Sequence, residues 1–504
     1  MKDTLRKLWE EKPLPVILFV ALFFRLLSAI FSKGYGMSDD HFLVIEPAQA
    51  WVDHYNYNNC LPEAGKPDIV PQGHSFFYPG LHYLLFLFLK FIGFNDPQGK
   101  MYIVRLIHAL FSLVIVYCGY KITERLAGKK QARNTGLLLA LYWFMPMLSV
   151  RNLVEMVCII PMAYATWLVI KNEERHQIKN IIVAGIMLGL AFSVRYQTLF
   201  FIAGLGIALF LKGQFKNSFV LAIFFLLTAG ILQGIPDYMI WGKPFVEFRE
   251  YVRYNQANAY TYLTGEWYKY LMLIGGILIP PISLFLIFGY FRNWRKHLIL
   301  FLPSFLFLVF HSYFPNKQER FILPIVPFII ISGSIGWGDF ISHSKFWIHR
   351  PKLNKSFWIF FWIINMIPLL VVSVAYSKRN RVEAMVYLAK KGDVNRIAIE
   401  DSNRDDILIP PRFYLRQWTE TIPITNQNAT TFYTDTYSKT PLSERPNYIV
   451  FMQPDHLEER VQNLKKDIPT LTYETTIEPS FIDWLLNKMN PRNKNQTSYI
   501  YKIN

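Results

Sequence analysis

The chain has 504 residues, of which 52% are hydrophobic, 17% are aromatic and only 18% are charged. This composition excludes a soluble multidomain enzyme and indicates a chain that lies mostly in lipid. The net charge of +17 comes from Lys and Arg residues scattered between apolar stretches. Such spacing is typical of membrane orientation, so we expect membrane lipids as partners and no nucleic acid.

Three cysteines occur in the chain, Cys60, Cys118 and Cys158, and the last two lie inside apolar runs. They cannot build a disulfide framework, and no Cys/His cluster with metal-ligand spacing is present. The sequence therefore predicts neither a metal nor another cofactor.

A window of about 20 residues, the length that spans a bilayer, picks out the apolar runs. The first has a basic N-terminal flank and no cleavage site, which indicates a retained anchor with a cytoplasmic N-terminus. Twelve runs lie near residues 16–31, 77–93, 102–120, 134–150, 153–170, 181–194, 198–211, 217–235, 269–291, 297–314, 320–338 and 357–376.

Orientation depends on whether the run 77–93 crosses the membrane. If it does not, the basic residues of the loops all lie on the side of the N-terminus, as the positive-inside rule requires. If it does, those loops all lie outside. We therefore predict an interfacial helix at 77–93 and about eleven transmembrane helices. The basic loops are residues 121–133, 171–179, 212–216, 292–296 and 345–355.

This parity places three loops on the outer face, at residues 32–101, 149–155 and 236–269. Residues 376–504 follow the last span and carry an alternating pattern typical of a soluble α/β domain. We predict a transmembrane catalytic domain at 1–375 and an extracytoplasmic domain at 376–504. The predicted strands are 396–400, 448–452, 471–477 and 498–503, with a helix at 456–466. No internal repeat is visible, which argues against an inverted-repeat transporter.

The first outer loop contains the adjacent carboxylates Asp39 and Asp40 close to the end of the first span. Such a pair can supply a general base, because one carboxylate raises the proton affinity of the other. A simple cap for a helix that begins near Phe42 is the alternative. Glu46, Tyr55 and Tyr57 follow, and aromatic rings beside carboxylates suit a sugar, although interfacial anchoring explains the aromatics equally well.

Cations at membrane depth are the second candidate feature. Arg25 lies in the middle of the first span, and Arg195 lies at the outer end of another, where it could also snorkel. The outward turn at residues 311–321 is dense in polar groups, and its Lys317 and Arg320 could hold a phosphate through charge-assisted hydrogen bonds. A solvated hairpin would have the same sequence.

Together these residues resemble the lipid-phosphate-mannose-dependent mannosyltransferases, which build GPI anchors and N-glycan precursors and belong to the C-type glycosyltransferase (GT-C) superfamily. The resemblance covers roughly residues 15–340 and follows the predicted topology. Its motifs are Arg25-Leu26, Asp39-Asp40-His41-Phe42, Glu46-Pro47, residues 75–79, Val104-Arg105-Leu106, Arg151-Asn152, Glu155-Met156, Arg195, residues 316–321 and Leu323-Pro324.

The resemblance implies a function for several residues. The family pattern His-Pro-Asp-Glu-x-Phe falls on residues 37–42, which implies Asp39 as the catalytic base and Asp40 as its acidic neighbour. The pattern His-Lys-Glu-x-Arg-Phe falls on residues 316–321 and retains both cations. The substrate-binding residues that we expect are His41, Glu46, Tyr78, Arg105, Arg151, Glu155, Arg195, Lys317 and Arg320.

The sequence thus predicts an α-helical membrane glycosyltransferase of GT-C type that moves a sugar, mannose by resemblance, from a polyprenyl-phosphate donor to a lipid-linked or glycan hydroxyl. We expect inversion, and an active site on the periplasmic or lumenal face. A bacterial inner membrane is favoured over the endoplasmic reticulum. The alternatives are sugar transfer to lipid A or protein, and a lipid-linked-sugar transporter or flippase, which should keep its charges at mid-membrane depth.

Overall fold

The computed structural model describes residues 2–63, 65–66, 68–175, 177–490 and 495–504. The chain divides into two compact units. The helical unit comprises Met1–Ala29, Asn58–Leu81 and Ile103–Ser373, and the α/β unit comprises Ile30–Tyr57, His82–Tyr102 and Val374–Asn504. The predicted extracytoplasmic domain at 376–504 is therefore grouped with two segments of the first predicted outer loop.

Apolar helices dominate the helical unit. Among the described residues, six helices are long and apolar enough to cross a membrane: Pro13–Phe31, Pro97–Leu141, Val154–Glu173, Phe215–Trp241, Glu319–His343 and Pro351–Ser373. Five shorter apolar helices are Phe77–Phe91, Ile178–Val194, Tyr196–Leu211, Ile282–Arg292 and Leu298–Tyr313. The α-helical membrane fold class is confirmed, whereas the number of spans and the interfacial position of Phe77–Phe91 stay predictions.

The longest apolar helix is interrupted along its length. Pro97–Leu141 is two helices, Pro97–Phe111 and Leu113–Leu141, with Gly128 at φ +81° inside the second. The remaining helices and turns of this unit are Lys2–Glu11, Met145–Val150, Val154–Val157, Ile159–Arg175, Tyr196–Thr198, Leu199–Leu211, Phe215–Ala229, Gly230–Gly234, Ile235–Trp241, Val246–Ala257, Lys269–Ile277, Glu319–Ile325, Val326–His343 and Lys345–Ile348.

Close helix packing in this unit depends on glycine. Ile282–Arg292 approaches Val326–His343 so closely that a Cβ built on Gly336 would lie 1.9 Å from the carbonyl oxygen of Gly289. Small residues are the usual means of close helix contact in lipid, where burial of apolar surface drives association only weakly.

The charge of Arg25 is satisfied inside the helical unit. Its guanidinium, which is fully buried, donates to Ser112 Oγ at 3.0 Å and to the carbonyl oxygens of Leu139 and Ala140 at 3.4 Å. These carbonyls belong to the last turn of a neighbouring helix, where the helix dipole favours a cation. Arg25 therefore serves helix packing in this structure.

The α/β unit contains a five-stranded sheet. Its strands are β1 Ile397–Asp401, β2 Thr421–Thr425, β3 Tyr448–Met452, β4 Leu471–Ile477 and β5 Ser498–Ile503, in the order β2-β1-β3-β5-β4. The first three are parallel, and β5 is antiparallel to both of its neighbours. The core between sheet and helix includes Ile424, Phe432, Phe451 and Leu464.

Four predicted strands and the predicted helix at 456–466 are confirmed. The helix is Leu457–Asp467, and β2 was not predicted. It contains Pro423, and an edge position is where a strand tolerates proline. The other helices and turns of the unit are Ser38–Asp40, His41–Ile45, Glu46–Val52, Arg379–Lys391, Arg412–Leu415, Phe432–Tyr437, Leu442–Glu444 and Phe481–Met489, while the turn Tyr57–Asn59 begins in this unit and ends in the helical unit.

Candidate active site

The predicted acidic pair lies in the α/β unit, on the short helix Ser38–Asp40. The side chain of Asp39 is exposed, whereas Asp40 is only 4% exposed. Asp40 stands at the N-cap position of the next helical turn, His41–Ile45, but its side chain makes no capping hydrogen bond there. Asp39 is therefore the member of the pair that a substrate can reach, and Asp40 is part of the packed interior.

His41 and Glu46 follow the acidic pair, and both are fully buried. The His41 ring stacks with two tyrosine rings: Tyr35, with centroids 4.6 Å apart, and Tyr414, with centroids 5.6 Å apart. His41 Nε2 lies 3.4 Å from Glu46 Oε1, and the same oxygen accepts a 3.1 Å hydrogen bond from the Phe413 amide. Burial lowers the pKa of His41, with Glu46 opposing the shift, so the imidazole is neutral at pH 7.

Substrate contact was expected of His41 and Glu46, and the structure places both in the buried interior of the α/β unit. Their atoms are enclosed by protein, and Glu46 fixes a backbone amide of a distant segment. A fully buried side chain influences a reaction by holding its neighbours in place. Their predicted contact with substrate stays a prediction.

A buried charged cluster is the main feature of the helical unit, and it consists of Glu155, Arg195 and Arg320. Arg195 Nη1 donates to Glu155 Oε1 at 2.6 Å, and Arg320 Nε lies 3.6 Å from the same oxygen. Both guanidinium groups lie over the Phe321 ring, with Cζ 5.3 and 5.6 Å from its centroid. Glu155 is fully buried, and the arginine side chains are only 9% and 10% exposed.

Two guanidinium groups around one carboxylate leave an excess positive charge in a buried site. The Nε and Nη2 atoms of Arg195 are buried and have no hydrogen-bond partner among the described residues. Buried N–H donors are normally satisfied, and donors on a cation favour an anionic acceptor. This charged cluster is thus chemically suited to an anion such as a phosphate.

Lys317 belongs to the turn that contains Arg320, but its ammonium group points elsewhere. It donates to the carbonyl oxygens of His311 at 2.7 Å and Ser312 at 2.8 Å, and it also contacts that of Phe314. These are the carbonyls at the end of the helix Leu298–Tyr313, where a cation stabilises the helix dipole. Burial lowers the pKa of Lys317. The structure brings Arg195 and Arg320 together around Glu155, and the binding of phosphate by Lys317 and Arg320 stays a prediction.

The other predicted binding residues lie in the helical unit and are all buried. The Tyr78 hydroxyl is 3.0 Å from His108 Nε2, and Arg105 Nε donates to the carbonyl oxygen of Ala29 at 2.8 Å. Arg151 follows the helix Met145–Val150 and is 3% exposed. Their roles in binding substrate stay predictions.

Two residues that the sequence did not single out accompany the charged cluster. Tyr251 hydrogen-bonds Gln197 and lies within the electrostatic reach of Arg195, Glu155 and Arg320, while burial raises its pKa to about 12. Neither residue belongs to a recognisable motif, so only the folded structure reveals them. Their hydroxyl and amide groups add neutral hydrogen-bonding capacity beside the two arginines.

The described residues contain no group of three or more His, Cys, Asp or Glu that could hold a metal ion. The chemistry that the side chains themselves can provide is acid–base catalysis by an exposed carboxylate and electrostatic stabilisation by buried arginines.

The fold is that of a multispanning membrane glycosyltransferase of GT-C type. Over residues 16–409, the chain matches the Alg9-like mannosyltransferase family. Because this match covers most of the chain, the protein belongs to that family. It is therefore a membrane-embedded glycosyltransferase.

Named relatives are similar to this chain at low identity. "GPI mannosyltransferase 3" of Yarrowia lipolytica is 23% identical over 400 residues, which cover 76% of this chain and 72% of the relative. "GPI alpha-1,2-mannosyltransferase 3" of Mus musculus is 23% identical over 391 residues, 76% and 68% of the two chains. These relatives are eukaryotic, so they give no support to the predicted bacterial inner membrane.

Solved structures share the fold. ArnT of Cupriavidus metallidurans bound to undecaprenyl phosphate superposes with a TM-score of 0.60 at 12% identity, covering 96% of this chain and 97% of that one. The oligosaccharyltransferase of Archaeoglobus fulgidus in its apo form gives a TM-score of 0.53 at 11% identity, covering 94% and 74%.

Proposed function

We propose that the protein transfers mannose from a polyprenyl-phosphate donor to a hydroxyl of a lipid-linked or glycan acceptor, on the outer or lumenal face of its membrane. The observation that carries this proposal is the charged cluster of Arg195, Arg320 and Glu155, which combines excess positive charge with N–H donors that have no acceptor among the described residues. The names of the relatives support mannose, and the ligand of ArnT supports a lipid phosphate.

The chemistry is a single displacement at C1 of the sugar. The bond between C1 and the phosphate oxygen breaks, a bond from C1 to the acceptor oxygen forms, and the acceptor proton moves to the carboxylate of Asp39. The configuration at C1 inverts because the acceptor attacks from the face opposite the leaving phosphate. The exposure of Asp39 supports this assignment, since a general base must reach the hydroxyl whose proton it takes.

The arginines are assigned to the leaving group. Phosphate gains negative charge as the C1–O bond breaks, and preorganised guanidinium donors stabilise that charge most strongly in a site that excludes water. Arg195 presents its remaining N–H groups without having to give up the hydrogen bond to Glu155. Glu155 holds the guanidinium in place, which reduces the reorganisation that the reaction requires.

The decisive experiment uses the purified full-length chain in detergent with radiolabelled donors. Polyprenyl-phosphate mannose, polyprenyl-phosphate glucose and a nucleotide-activated mannose are offered with a panel of acceptors that contains mannosylated glycolipids, lipid A and a sequon peptide. We expect transfer from polyprenyl-phosphate mannose to a glycolipid, with a product whose anomeric configuration is opposite to that of the donor.

The variant Arg195→Gln tests the role of the charged cluster, because it removes the charge of Arg195 and keeps a hydrogen-bonding side chain. It should bind the lipid-phosphate donor more weakly than the wild type. Transfer from the nucleotide sugar at a comparable rate, or a product with retained configuration, would contradict the proposed mechanism. Transfer only to lipid A or to the peptide would contradict the proposed acceptor.

A further inference from the structure

Residues 33–46 form the acidic-pair segment. Side chains from the C-terminal part of the chain contact this segment, and all of these residues belong to the α/β unit. Lys378 Nζ lies 4.3 Å above the Tyr35 ring, and the Arg381 guanidinium lies 5.4 Å from it and 6.0 Å from the Phe42 ring. These cations fix the aromatic residues on both sides of the pair, since cations are attracted to the faces of aromatic rings.

The backbone of the same segment is also tied to the C-terminal part. The Ser377 amide donates to the carbonyl oxygen of Lys33 at 3.0 Å. Gly34 has φ +76°, and a Cβ at this position would lie 1.9 Å from the carbonyl oxygen of Ser377. Only glycine fits such a close approach. The backbone just before the acidic pair is therefore anchored to the C-terminal part of the chain.

Phe413 and Tyr414 contact the residues that follow the pair. Tyr414 stacks on His41 with an interplanar angle of 8°, and the Phe413 amide binds Glu46 across 367 positions of sequence. All four residues are at most 2% exposed. His41 directly follows Asp40, so the direction of the helix that carries the pair depends on where the His41 ring is held.

The family match ends at residue 409, before this second anchor. Phe413 and Tyr414 therefore contribute to the acidic-pair segment from outside the matched region. Since His41 stacks with both Tyr35 and Tyr414, the removal of Tyr414 leaves the imidazole with one of its two stacked tyrosines.

We propose that Tyr414 is a positioning residue for the transfer reaction: by stacking on His41, it holds the acidic pair at the geometry in which Asp39 takes the acceptor proton. The proposal rests on the proposed function of Asp39. Through Tyr414, the C-terminal domain takes part in catalysis without contacting the substrate. A misplacement of a catalytic group by about 1 Å is enough to reduce a rate about 100-fold.

The test compares Tyr414→Leu with Tyr414→Phe in the full-length chain, using polyprenyl-phosphate mannose and the acceptor that supports turnover. Tyr414→Leu should lower kcat by about 10- to 100-fold while KM for the donor stays within about threefold, because the donor phosphate is assigned to residues of the helical unit. Tyr414→Phe keeps the stacked ring and should restore kcat to within about threefold of the wild type.

A matched control separates positioning from loss of stability. Phe432 is fully buried in the sheet core of the same unit, in a cluster whose described members all lie at or after Ala398, so Phe432→Leu should lower Tm with kcat nearly unchanged. If Tyr414→Leu fails to fold, Tyr414→Met replaces it, because Met also fills the buried site without a stacking ring. A folded Tyr414→Met protein should show the same loss of kcat, with Tyr414→Phe as the active reference.

Asp39→Asn is measured beside these variants, so that the two proposals can fail separately. If Asp39→Asn is inactive while Tyr414→Leu is folded with a normal kcat, the positioning role is refuted and the base assignment stands. If Asp39→Asn is active, the base assignment is refuted. Equal losses of kcat in Tyr414→Leu, Tyr414→Phe and Phe432→Leu would also overturn the positioning role.

Discussion

Arg195 donates a 2.6 Å hydrogen bond to Glu155 from a position where its own side chain is only 9% exposed. Breaking such a buried pair by removing one member leaves an uncompensated charge, so both residues are expected to be intolerant of truncation. Arg320 approaches the same carboxylate oxygen at 3.6 Å. The result is a carboxylate shared by two cations, a charge balance that favours a second anion.

Replacement of either arginine should weaken the use of the donor. For Arg195→Gln and Arg320→Gln, the loss of a charge-assisted hydrogen bond to phosphate should cost about 1.5 to 3 kcal/mol, roughly a 10- to 150-fold fall in kcat/KM for the donor. Initial rates over a range of donor concentrations, at saturating acceptor, provide the measurement. KM for the acceptor should change little.

Lys317→Gln is the informative comparison for those variants. The Lys317 ammonium is bound by carbonyl oxygens at a helix end, so its loss should lower Tm while kcat/KM for the donor stays within about threefold. A folded Lys317→Gln protein with the same donor defect as Arg320→Gln would instead favour the phosphate clamp expected from the sequence.

Glu247 provides a pH-dependent prediction that involves no catalytic residue. Its Oε2 accepts the amides of Gly73 at 2.7 Å and His74 at 3.1 Å, and burial raises its pKa to about 7 despite those hydrogen bonds. A raised carboxyl pKa contributes stability that is fully present below the unfolded pKa of about 4.5 and is lost as the pH rises through 7.

The Glu247→Gln variant isolates this effect, because it cannot ionise. The wild-type Tm should fall relative to the variant's as the pH rises from about 4.5 to 7, and the difference should then stay constant at higher pH. Thermal unfolding in detergent at several pH values measures it. Parallel Tm curves for the two proteins would show that Glu247 titrates normally in the folded state.

The sequence predicted the elements of this protein better than their long-range contacts. Apolar length and alternation give the apolar helices and four of the five strands, because each of these signals is local. The burial of His41 and Glu46 could not be predicted in this way. It depends on Phe413 and Tyr414, whose approach is determined only when the whole unit has folded.

The charged cluster shows the same limit. Arg195, Glu155 and Arg320 were each identified as candidates, but the sequence paired Arg320 with Lys317, three positions away. The fold instead brings Arg320 to Glu155 and turns Lys317 toward its own helix end. Proximity in sequence was a poor guide here because a short turn can direct adjacent side chains to opposite sides.

The orientation of the chain can be tested by cysteine labelling in sealed vesicles. Lys129 lies in a predicted inner loop and Lys439 lies in the α/β unit, and both are exposed. With Cys60 replaced by serine and the buried Cys118 and Cys158 retained, single cysteines at positions 129 and 439 should react with an impermeant reagent from opposite sides. Reaction from the same side would mean an even number of crossings between the two positions, whereas reaction of position 129 from the outer side would mean that residues 77–93 cross the membrane.

The final prediction separates the two members of the acidic pair. Asp39→Asn keeps the shape of the side chain but cannot accept a proton, so kcat should fall by about 100- to 10,000-fold, the range that a general base supplies, with donor binding and Tm unchanged. Asp40 is nearly buried, so Asp40→Asn should affect Tm more and kcat less.

Measurement of kcat, donor binding and Tm for both variants decides between them. The exposed position of Asp39 makes it reachable by an acceptor hydroxyl, whereas Asp40 would have to act from the interior. An active Asp39→Asn with an inactive, folded Asp40→Asn would shift the base by one residue. Full activity in both would exclude the pair and turn attention to Glu155, since Glu46 is bound to the Phe413 amide and His41.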